Sequence, residues 1–407
     1  MSANGVTGAR KVEAANYNRE LHARPSIYFE APALVCHATY LGGSTDHPFY
    51  HERPSAPDGR IRLARETHTE FHTRTSVMQL PNNPTSWPEA PEESLEGIVT
   101  GEAAVMRVQI LVLSENAAES FVNDTAVPGR FGLRQPVASV VGGGDATIYS
   151  DFRIAADGFG RIMLVNRRLN AYRLGRMARR LYEIETYRAM ALLGLPLARE
   201  AGAALPRYDE RLIALSDQIV GSSHTDSREL LDRLAELSSE LSRTIARVSH
   251  RFGATRAYAE IVEERVRELR EAHVPGFQRF GVFIERRFRP AVRTCAATER
   301  RLEKLAANVA QLVRLLQTRV QVALQEQNVQ RLQGMEARTA TQVKIQKAVE
   351  GLSIIAITYY AASLVKLSLE ALDHSDIVST KNWMLVALPM TLFATITAVL
   401  MVRRALK

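Results

Sequence analysis

The chain has 407 residues, of which 46% are hydrophobic and 24% charged, so it is long enough for two or three folded domains and too apolar to be disordered throughout. The net charge of +8 permits an anionic partner, but the basic residues are spread along the chain, which favours a membrane surface and argues against nucleic acid. The two cysteines, Cys36 and Cys295, lie far apart and outside any CxxC motif, which argues against a disulfide framework or a cysteine zinc site.

Residues 1–167 are predicted to form a β-rich domain. Short runs of β-branched and aromatic residues alternate there with clusters of Gly, Pro and Asn. The stretch "FRIAADGFGRIMLV" predicts a hairpin with Asp157 and Gly158 in its turn. The first 20 residues contain no apolar segment typical of a secretory signal, so we expect no signal peptide.

The stretch "RETHTEFHTR" is the first candidate site. If it is one strand, Glu66, His68, Glu70, His72 and Arg74 share a face, and alternating His and Glu could bind a metal ion. The alternative is a solvated polar face with cross-strand ion pairs. The spacing matches no defined metal motif, so we favour the alternative and predict no metal and no cofactor.

The stretch "ELHARP" is the second candidate site. Glu20, His22 and Arg24 could form a polar site, or Pro25 could fix a turn in which Arg24 makes ordinary salt bridges. Neither a Ser-His-Asp nor a Cys-His arrangement can be assigned from the spacing. We therefore predict no catalytic residue and do not expect an enzyme.

Residues 168–289 are predicted to be helical and to include a coiled coil. A first helix is expected to end at Gly194 and Pro196, and "HVPGF" at 273–277 is expected to end the helical region. Between them lies an apolar seam with steps of three and four residues, which is typical of a helix packed on another helix. The apolar seam consists of Leu230, Leu234, Leu237, Leu241, Ile245, Val248 and Phe252.

Residues 290–350 are predicted to form a long stalk helix that begins at Pro290. Proline suits the first turn of a helix, and no further proline occurs before Pro389. A long, largely polar helix is rarely stable alone, so partner helices are expected. The sequence therefore predicts a homo-oligomer.

Residues 351–407 are predicted to form a transmembrane hairpin with a basic tail. Gly351–Leu372 and Trp383–Val402 are each long enough to cross a bilayer, although the first could instead be the buried end of a water-exposed helix. Basic residues flank the outer ends of both segments, and the loop between them carries Asp373 and Asp376. The positive-inside rule then places both termini in the cytoplasm.

Four polar residues form a stripe on the first predicted span: Tyr359, Ser363, Lys366 and Glu370. At 100° per residue they fall on one narrow face of the helix. Such a stripe lines a pore or a subunit interface, or else Lys366 and Glu370 extend to the outer membrane surface and neutralise each other. The sequence leaves both interpretations open.

Two resemblances extend this reading. The build of residues 290–407, with "VKIQKAVEGLSIIAITYY" at the junction, resembles the CorA-like magnesium transporters, which carry Gly-Met-Asn where this chain has "LEALDHSD". The motifs "ELHARP", "HTEF", "DGFGRIMLVNR" and "LYEIETYRAMALLGLP" resemble an uncharacterised bacterial family of predicted membrane-anchored proteins. The second resemblance implies an anchor in the bacterial inner membrane and supplies no activity.

Three functional hypotheses follow for this α+β chain. The first is a membrane-anchored interaction, scaffold or sensing protein with a large cytoplasmic domain, and it is the one we favour. The second is an oligomeric channel or transporter of the CorA-like type, with an ion other than magnesium. The third is a metal-dependent enzyme. The identity of a small-molecule or ion ligand cannot be read from these residues.

Overall fold

The computed structural model describes residues 26–42, 50–54, 60–90, 104–114, 127–221, 227–373 and 380–405. It is a mixed α+β structure with an N-terminal sheet, followed by a mostly helical remainder that includes one long apolar helix. The strands are β1 Ala33–Leu41, β2 Tyr50–Pro54, β3 Ile61–Thr67, β4 Phe71–Gln79, β5 Ala104–Ser114, β6 Val137–Val141, β7 Ala146–Ile154, β8 Gly160–Asn166 and β9 Ala272–His273. The helices are α1 Val127–Arg130, α2 Ala171–Leu192, α3 Gly194–Gly221, α4 Ser227–Glu268, α5 Phe280–Asp373 and α6 Thr380–Ala405.

The nine described strands form one sheet in the order β2-β3-β4-β1-β5-β8-β7-β6-β9. All neighbours are antiparallel except β5 and β8, which run parallel at the centre. The predicted hairpin at Asp157 and Gly158 is confirmed, because β7 pairs antiparallel with β8 and Gly158 has a φ of +81°. Positive φ is a conformation that glycine adopts without steric cost.

The two faces of the sheet are covered differently. One face packs against α2, the end of α4 and the start of α5, through residues such as Leu181, Val262 and Phe280. The other face packs against the α1 region and loops, through Phe131 and Trp87 among others. Because side chains alternate along a strand, strands such as β1, β5 and β8 contribute to both apolar layers. Sequence positions one residue apart therefore enter different environments.

The prediction of one strand across 66–74 is wrong. β3 ends at Thr67 and β4 begins at Phe71, and the amide N–H of His68 donates to the Phe71 carbonyl oxygen at 2.8 Å across the turn. Glu66 pairs with Thr73 and lies on the helix-covered face, whereas His72 pairs with Thr67 and lies on the opposite face. A polar strand and a polar hairpin have similar composition, so the alternation did not reveal the turn.

The helical boundaries also differ from the predicted ones. Asn170 caps α2 by accepting a hydrogen bond from the Arg173 amide at 3.0 Å, as short polar side chains do at helix starts. The first helix ends beside Gly194, as predicted, because α2 ends at Leu192, and α3 begins at Gly194 itself. Pro290 is not the first residue of the stalk helix, since α5 begins at Phe280 and contains Pro290. "HVPGF" does interrupt the helices, as predicted.

The chain divides into two compact units, which are described separately. The first contains the sheet, α1 to α3, α4 from Arg228 and α5 up to Val313, and the second contains α5 from Arg314 and α6. The boundaries at 167, 289 and 350 that the sequence suggested stay predictions.

Within the first unit, α3, α4 and the start of α5 pack together. Six of the seven residues of the apolar seam are buried, and Ile245 is half-buried. Salt bridges join each pair of helices: Arg211 to Glu240 at 2.7 Å, Arg256 to Glu299 at 2.5 Å, and Arg301 to Asp209. The seam therefore packs inside the chain's own helical layer.

Within the second unit, α5 is exposed along most of its length. Apolar side chains that are at least half exposed include Leu332, Met335, Ile355 and Leu364. Among the described residues, α5 is the one helix with a stretch long and apolar enough to cross a membrane, and none of that stretch is buried. In α6, Leu385–Val399 forms a shorter apolar stretch.

Candidate functional site

The predicted polar residues of the β3–β4 hairpin divide between two faces of the sheet. Glu66, His68 and Glu70 contact side chains of the helix-covered face, as described below. His72 lies on the opposite face, where its Nδ1–H donates to the Gly42 carbonyl oxygen at 2.9 Å and Tyr40 stacks on its ring. The structure therefore does not bring the two histidines together. Glu20, His22 and Arg24 lie outside the described residues.

Glu66 belongs to a partly buried chain of ion pairs. Arg179 of α2 contacts Glu66 at 3.1 Å and Glu183 at 2.7 Å, and Glu183 in turn contacts Arg265 of α4 at 2.6 Å. Burial opposes the charge of Arg179, but Tyr182, Glu66 and Glu183 outweigh it and raise its pKa. The His68 ring lies 3.8 Å from Glu66. These contacts fasten the hairpin to two helices.

Glu70 also connects the β3–β4 hairpin to a helix, through contacts next to those of Glu66. Its carboxylate accepts a hydrogen bond from the Tyr258 hydroxyl at 2.7 Å and pairs with Arg251 at 2.5 Å. Burial raises the pKa of Glu70, but the hydrogen bonds from Arg251 and Tyr258 outweigh it and lower the pKa. Phe71 packs edge-on against Tyr258, so an apolar contact lies beside these polar ones. These contacts hold the hairpin in place, and they occupy the Glu70 carboxylate with Tyr258 and Arg251.

His37 lies deeper on the same face and is 2% exposed. Its ring nitrogens lie 2.7 Å from Thr75 Oγ1 and 3.0 Å from Thr186 Oγ1, and its ring stacks on Tyr182 at 4.1 Å. Burial, followed by the charge of Arg179, lowers the pKa of His37 to about 3. The imidazole is therefore neutral at neutral pH and serves as a hydrogen-bonded part of the core.

The described part of the chain offers no set of side chains that could bind a metal ion. No group of three or more His, Cys, Asp or Glu side chains is arranged there to hold an ion. Both cysteines are buried thiols, and burial raises the pKa of Cys36 to about 12. A buried neutral thiol is a poor nucleophile and a poor ligand.

The polar stripe lies on α5 as the sequence predicted. Lys366 Nζ lies 3.7 Å from Glu370 Oε1, and both side chains are more than half exposed. Tyr359 is 68% exposed. Lys366 and Glu370 therefore form an exposed ion pair one helical turn apart.

A cleft that sequence reasoning missed lies at the end of the sheet where β5 and β8 begin. It consists of two neighbouring cavities that share Phe152, Arg188 and Leu192, and we call it the Phe152 cleft. The first cavity has a volume of about 440 Å³ and is lined by Met106, Ser150 and other residues of the central strands together with Glu185 of α2. The second has a volume of about 260 Å³ and opens beside the first turns of α5.

Phe152 occupies an unusual backbone position between the two cavities. The pairing of β7 with β8 shifts register between Ser150 and Ile154, and Phe152 has a φ of +54°. A bulky residue in this region costs roughly 1–3 kcal/mol and needs surrounding contacts to persist. The Phe152 ring stacks on Phe283 at 4.7 Å and packs against Phe280 at 4.8 Å. These contacts keep the bulge in place at the start of α5.

Glu185 and Arg188 pair with each other at the floor of the first cavity. The Arg188 guanidinium donates to Glu185 Oε2, and its Cζ lies 5.7 Å from the centre of the Phe152 ring. The negative charge of Glu185 raises the pKa of Arg188 despite burial. Glu185 is 7% exposed, yet among the described residues its second oxygen, Oε1, has no hydrogen-bond partner, and neither does the buried Nε of Arg188. Buried polar atoms without partners are rare in native proteins.

Arginines dominate the second cavity. Arg134, Arg153, Arg188 and Arg287 line it, against one carboxylate, Asp151. The Asp151 oxygens accept hydrogen bonds from the backbone amides of Arg134 at 3.0 Å and Arg153 at 3.1 Å. The Asp151 carboxylate is thus already engaged by backbone amides, and arginines outnumber carboxylates in the lining of the cavity. The sequence signal for this site was weak, because the arginines come from four separate segments.

The chain was also compared with known proteins. A family model described as "Protein of unknown function (DUF3422)" matches residues 13–406. The chain belongs to this family. The resemblance to an uncharacterised family is therefore confirmed, whereas the CorA-like resemblance of the C-terminal part stays a prediction. A search of curated proteins finds no match.

Proposed function

We propose that this DUF3422 chain is an integral membrane protein with an interaction or sensing role, anchored in the bacterial inner membrane through the end of α5 and α6. The observation that carries the proposal is the apolar stretch of α5, which is long enough to span and has no buried residue in its most apolar part. A continuous apolar helix surface is unfavourable in water and is satisfied by lipid.

Two further features support a hairpin of two spans. The Thr358 hydroxyl of α5 donates to Thr395 Oγ1 of α6 at 3.4 Å, and the two threonines lie midway along the apolar stretches. Basic residues such as Lys347 and Arg403 flank the outer ends of the two segments. A hairpin oriented by these charges has both termini in the cytoplasm.

Reporter fusions test this topology. A cytoplasm-active reporter such as a fluorescent protein fused after Lys407 should be bright, and an alkaline phosphatase inserted between Asp373 and Lys381 should be active outside the cytoplasm. A matched phosphatase fusion after Lys407 should be inactive. Reporters that place both positions on one side of the membrane would remove the hairpin.

An oligomeric channel or transporter is the second candidate function. The observation that favours it is the Lys366–Glu370 pair, which is more than half exposed within the predicted span. Charged side chains in a span usually face protein or water, and neighbouring copies would supply both. Exposed apolar residues farther back on α5, such as Leu332 and Ile345, support helix packing between copies.

Charge removal in the stripe separates the channel from a simple anchor. If the pair is enclosed between copies, Lys366→Leu leaves Glu370 unpaired and costs about 3–5 kcal/mol of assembly, and the double variant with Glu370→Leu recovers much of it. The measurement is the thermal midpoint of the detergent-purified oligomer for the wild type, both single variants and the double variant. Four equal midpoints would mean that the pair lies at the membrane surface, where it contributes little.

A further inference from the structure

We propose that the Phe152 cleft binds a small organic anion that carries a hydroxyl group, with the anionic group on the arginines and the hydroxyl on Glu185. The proposal concerns the sheet-containing unit and is independent of membrane anchoring. It identifies the class of ligand that a sensing role would use. The argument rests on the charge of the second cavity, on the unpartnered oxygen of Glu185 and on the size and shape of the cleft.

The charge of the second cavity selects an anion. Arg188 is paired with Glu185, so the cavity's three other arginines, Arg134, Arg153 and Arg287, face one carboxylate that already accepts two backbone hydrogen bonds. A guanidinium presents parallel N–H groups that match a carboxylate or a phosphate, so both anions share the chemistry that this cavity offers. Arg188 is the central donor, because it lines both cavities.

The unpartnered oxygen of Glu185 selects a hydroxyl group. Glu185 is 7% exposed, lines the first cavity and has Oε2 occupied by Arg188, so Oε1 is the atom that needs a donor. Arg188 already balances the charge of Glu185, so a neutral donor is sufficient. Oε1 has almost no accessible surface, so a ligand hydroxyl reaches it when the neighbouring side chains move, and it then satisfies an acceptor that is costly to leave unpaired.

The size and the backbone of the cleft fit a small ligand. The first cavity, of about 440 Å³, lies in the range of small-molecule sites, and the second, of about 260 Å³, extends it on the other side of Phe152. The strained φ of Phe152 is held by its contacts with Phe280 and Phe283, and strain of this kind concentrates at ligand sites. Because the two cavities meet at Arg188, one molecule can reach both the arginines and Glu185.

Paired probes test the proposal by calorimetric titration of the full chain purified in detergent. Malate and succinate differ by one hydroxyl, and so do 2-hydroxypropyl phosphate and propyl phosphate. We expect saturable binding in which the hydroxylated member of at least one pair binds about tenfold more tightly, the factor for one good hydrogen bond. Preference within the first pair identifies a carboxylate ligand, and preference within the second a phosphate. No saturable binding of any probe, or equal binding within both pairs, would overturn the proposal.

Three variants assign the two roles. Arg188→Gln should weaken binding of every probe at least about tenfold. Glu185→Met, which has a similar length but no strong hydrogen-bonding group, should abolish the preference for the hydroxylated probe and leave the other member of the pair bound as well or better, because a competing negative charge is gone. Arg228→Gln changes an exposed arginine on α4 and should behave as the wild type.

Thermal midpoints without ligand identify any variant that is misfolded, and Glu185→Met, which keeps a similar side-chain length, then carries the test. Unchanged affinity in Arg188→Gln, or an unchanged hydroxyl preference in Glu185→Met, would place the ligand elsewhere and refute the assignment. Failure here leaves the fusion test of membrane anchoring unaffected, so the two proposals fail separately.

Discussion

Replacement of Gly175 by alanine should destabilise the sheet-containing unit, against the usual effect of this change in a helix. Gly175 lies within α2, where the chain segment before β1 crosses it. An added Cβ would lie 2.3 Å from the carbonyl oxygen of Ile27 and 3.2 Å from its carbonyl carbon. Both neighbours are backbone atoms, so no side-chain rotation relieves the contact.

The expected size follows from two opposing terms. In a helix interior, alanine is favoured over glycine by about 1 kcal/mol. Ordinary van der Waals contact begins at 3.4 Å, so the segment at Ile27 must move away from α2 by about 1 Å. Overpacking of a buried site costs about 1–3 kcal/mol, and a backbone clash belongs at the upper end of that range. The net loss should be about 2 kcal/mol.

The assay is denaturant unfolding of the detergent-purified chain, followed by the tyrosine and tryptophan signal of the sheet-containing unit. Gly253→Ala is the matched control, because Gly253 lies exposed within α4 and its added Cβ would meet nothing within 4 Å. We expect the control to gain about 0.5–1 kcal/mol. If Gly175→Ala is as stable as the control, the close crossing at Ile27 is wrong.

Two further predictions concern the polar residues on the helix-covered face. His37 has a pKa lowered to about 3 by burial, whereas an unfolded histidine titrates near 6.5, so the unfolded chain binds more protons between these values. Stability should therefore fall by about 2 kcal/mol from pH 7 to pH 5 through this residue, and His37→Gln should lack that component; identical pH profiles in urea unfolding would contradict it. Arg179→Met leaves Glu66 and Glu183 without their shared cation and should cost about 3–5 kcal/mol, because the Arg179 and Glu66 side chains are 13% and 11% exposed. Arg180→Met, the control, breaks a pair with 30% and 37% exposed side chains and should cost at most about 1 kcal/mol; equal losses in thermal unfolding would refute the distinction.

Part of the fold could be predicted because its signals are local. The hairpin at Gly158 follows from an Asp-Gly turn between two apolar runs. The break at "HVPGF" follows from its proline and glycine, which interrupt the helical periodicity. The apolar end of α5 follows from composition alone. In each case the residues that form the feature are neighbours in sequence.

The candidate site could not be predicted in the same way. The alternation in "RETHTEFHTR" suggested one polar face, but the turn at His68 sends Glu66 and His72 to opposite sides of the sheet. The contacts of Glu66 and Glu70 come from α2 and α4, more than 100 residues away. No period in the sequence relates these segments, because their contact depends on how the helices pack on the sheet.

By itself, the sequence determined the family, the succession of a β-rich part and a helical part, and the apolar surface that ends the chain. These features depend on composition and on short-range periodicity, which survive without knowledge of packing. The tertiary structure alone decided the Phe152 cleft, since its arginines and Glu185 meet where the bulge of β7, α2 and the start of α5 converge. The arginines of the cleft come from segments far apart in the sequence. No local sequence pattern reveals them, because each arginine looks ordinary in its own stretch of sequence.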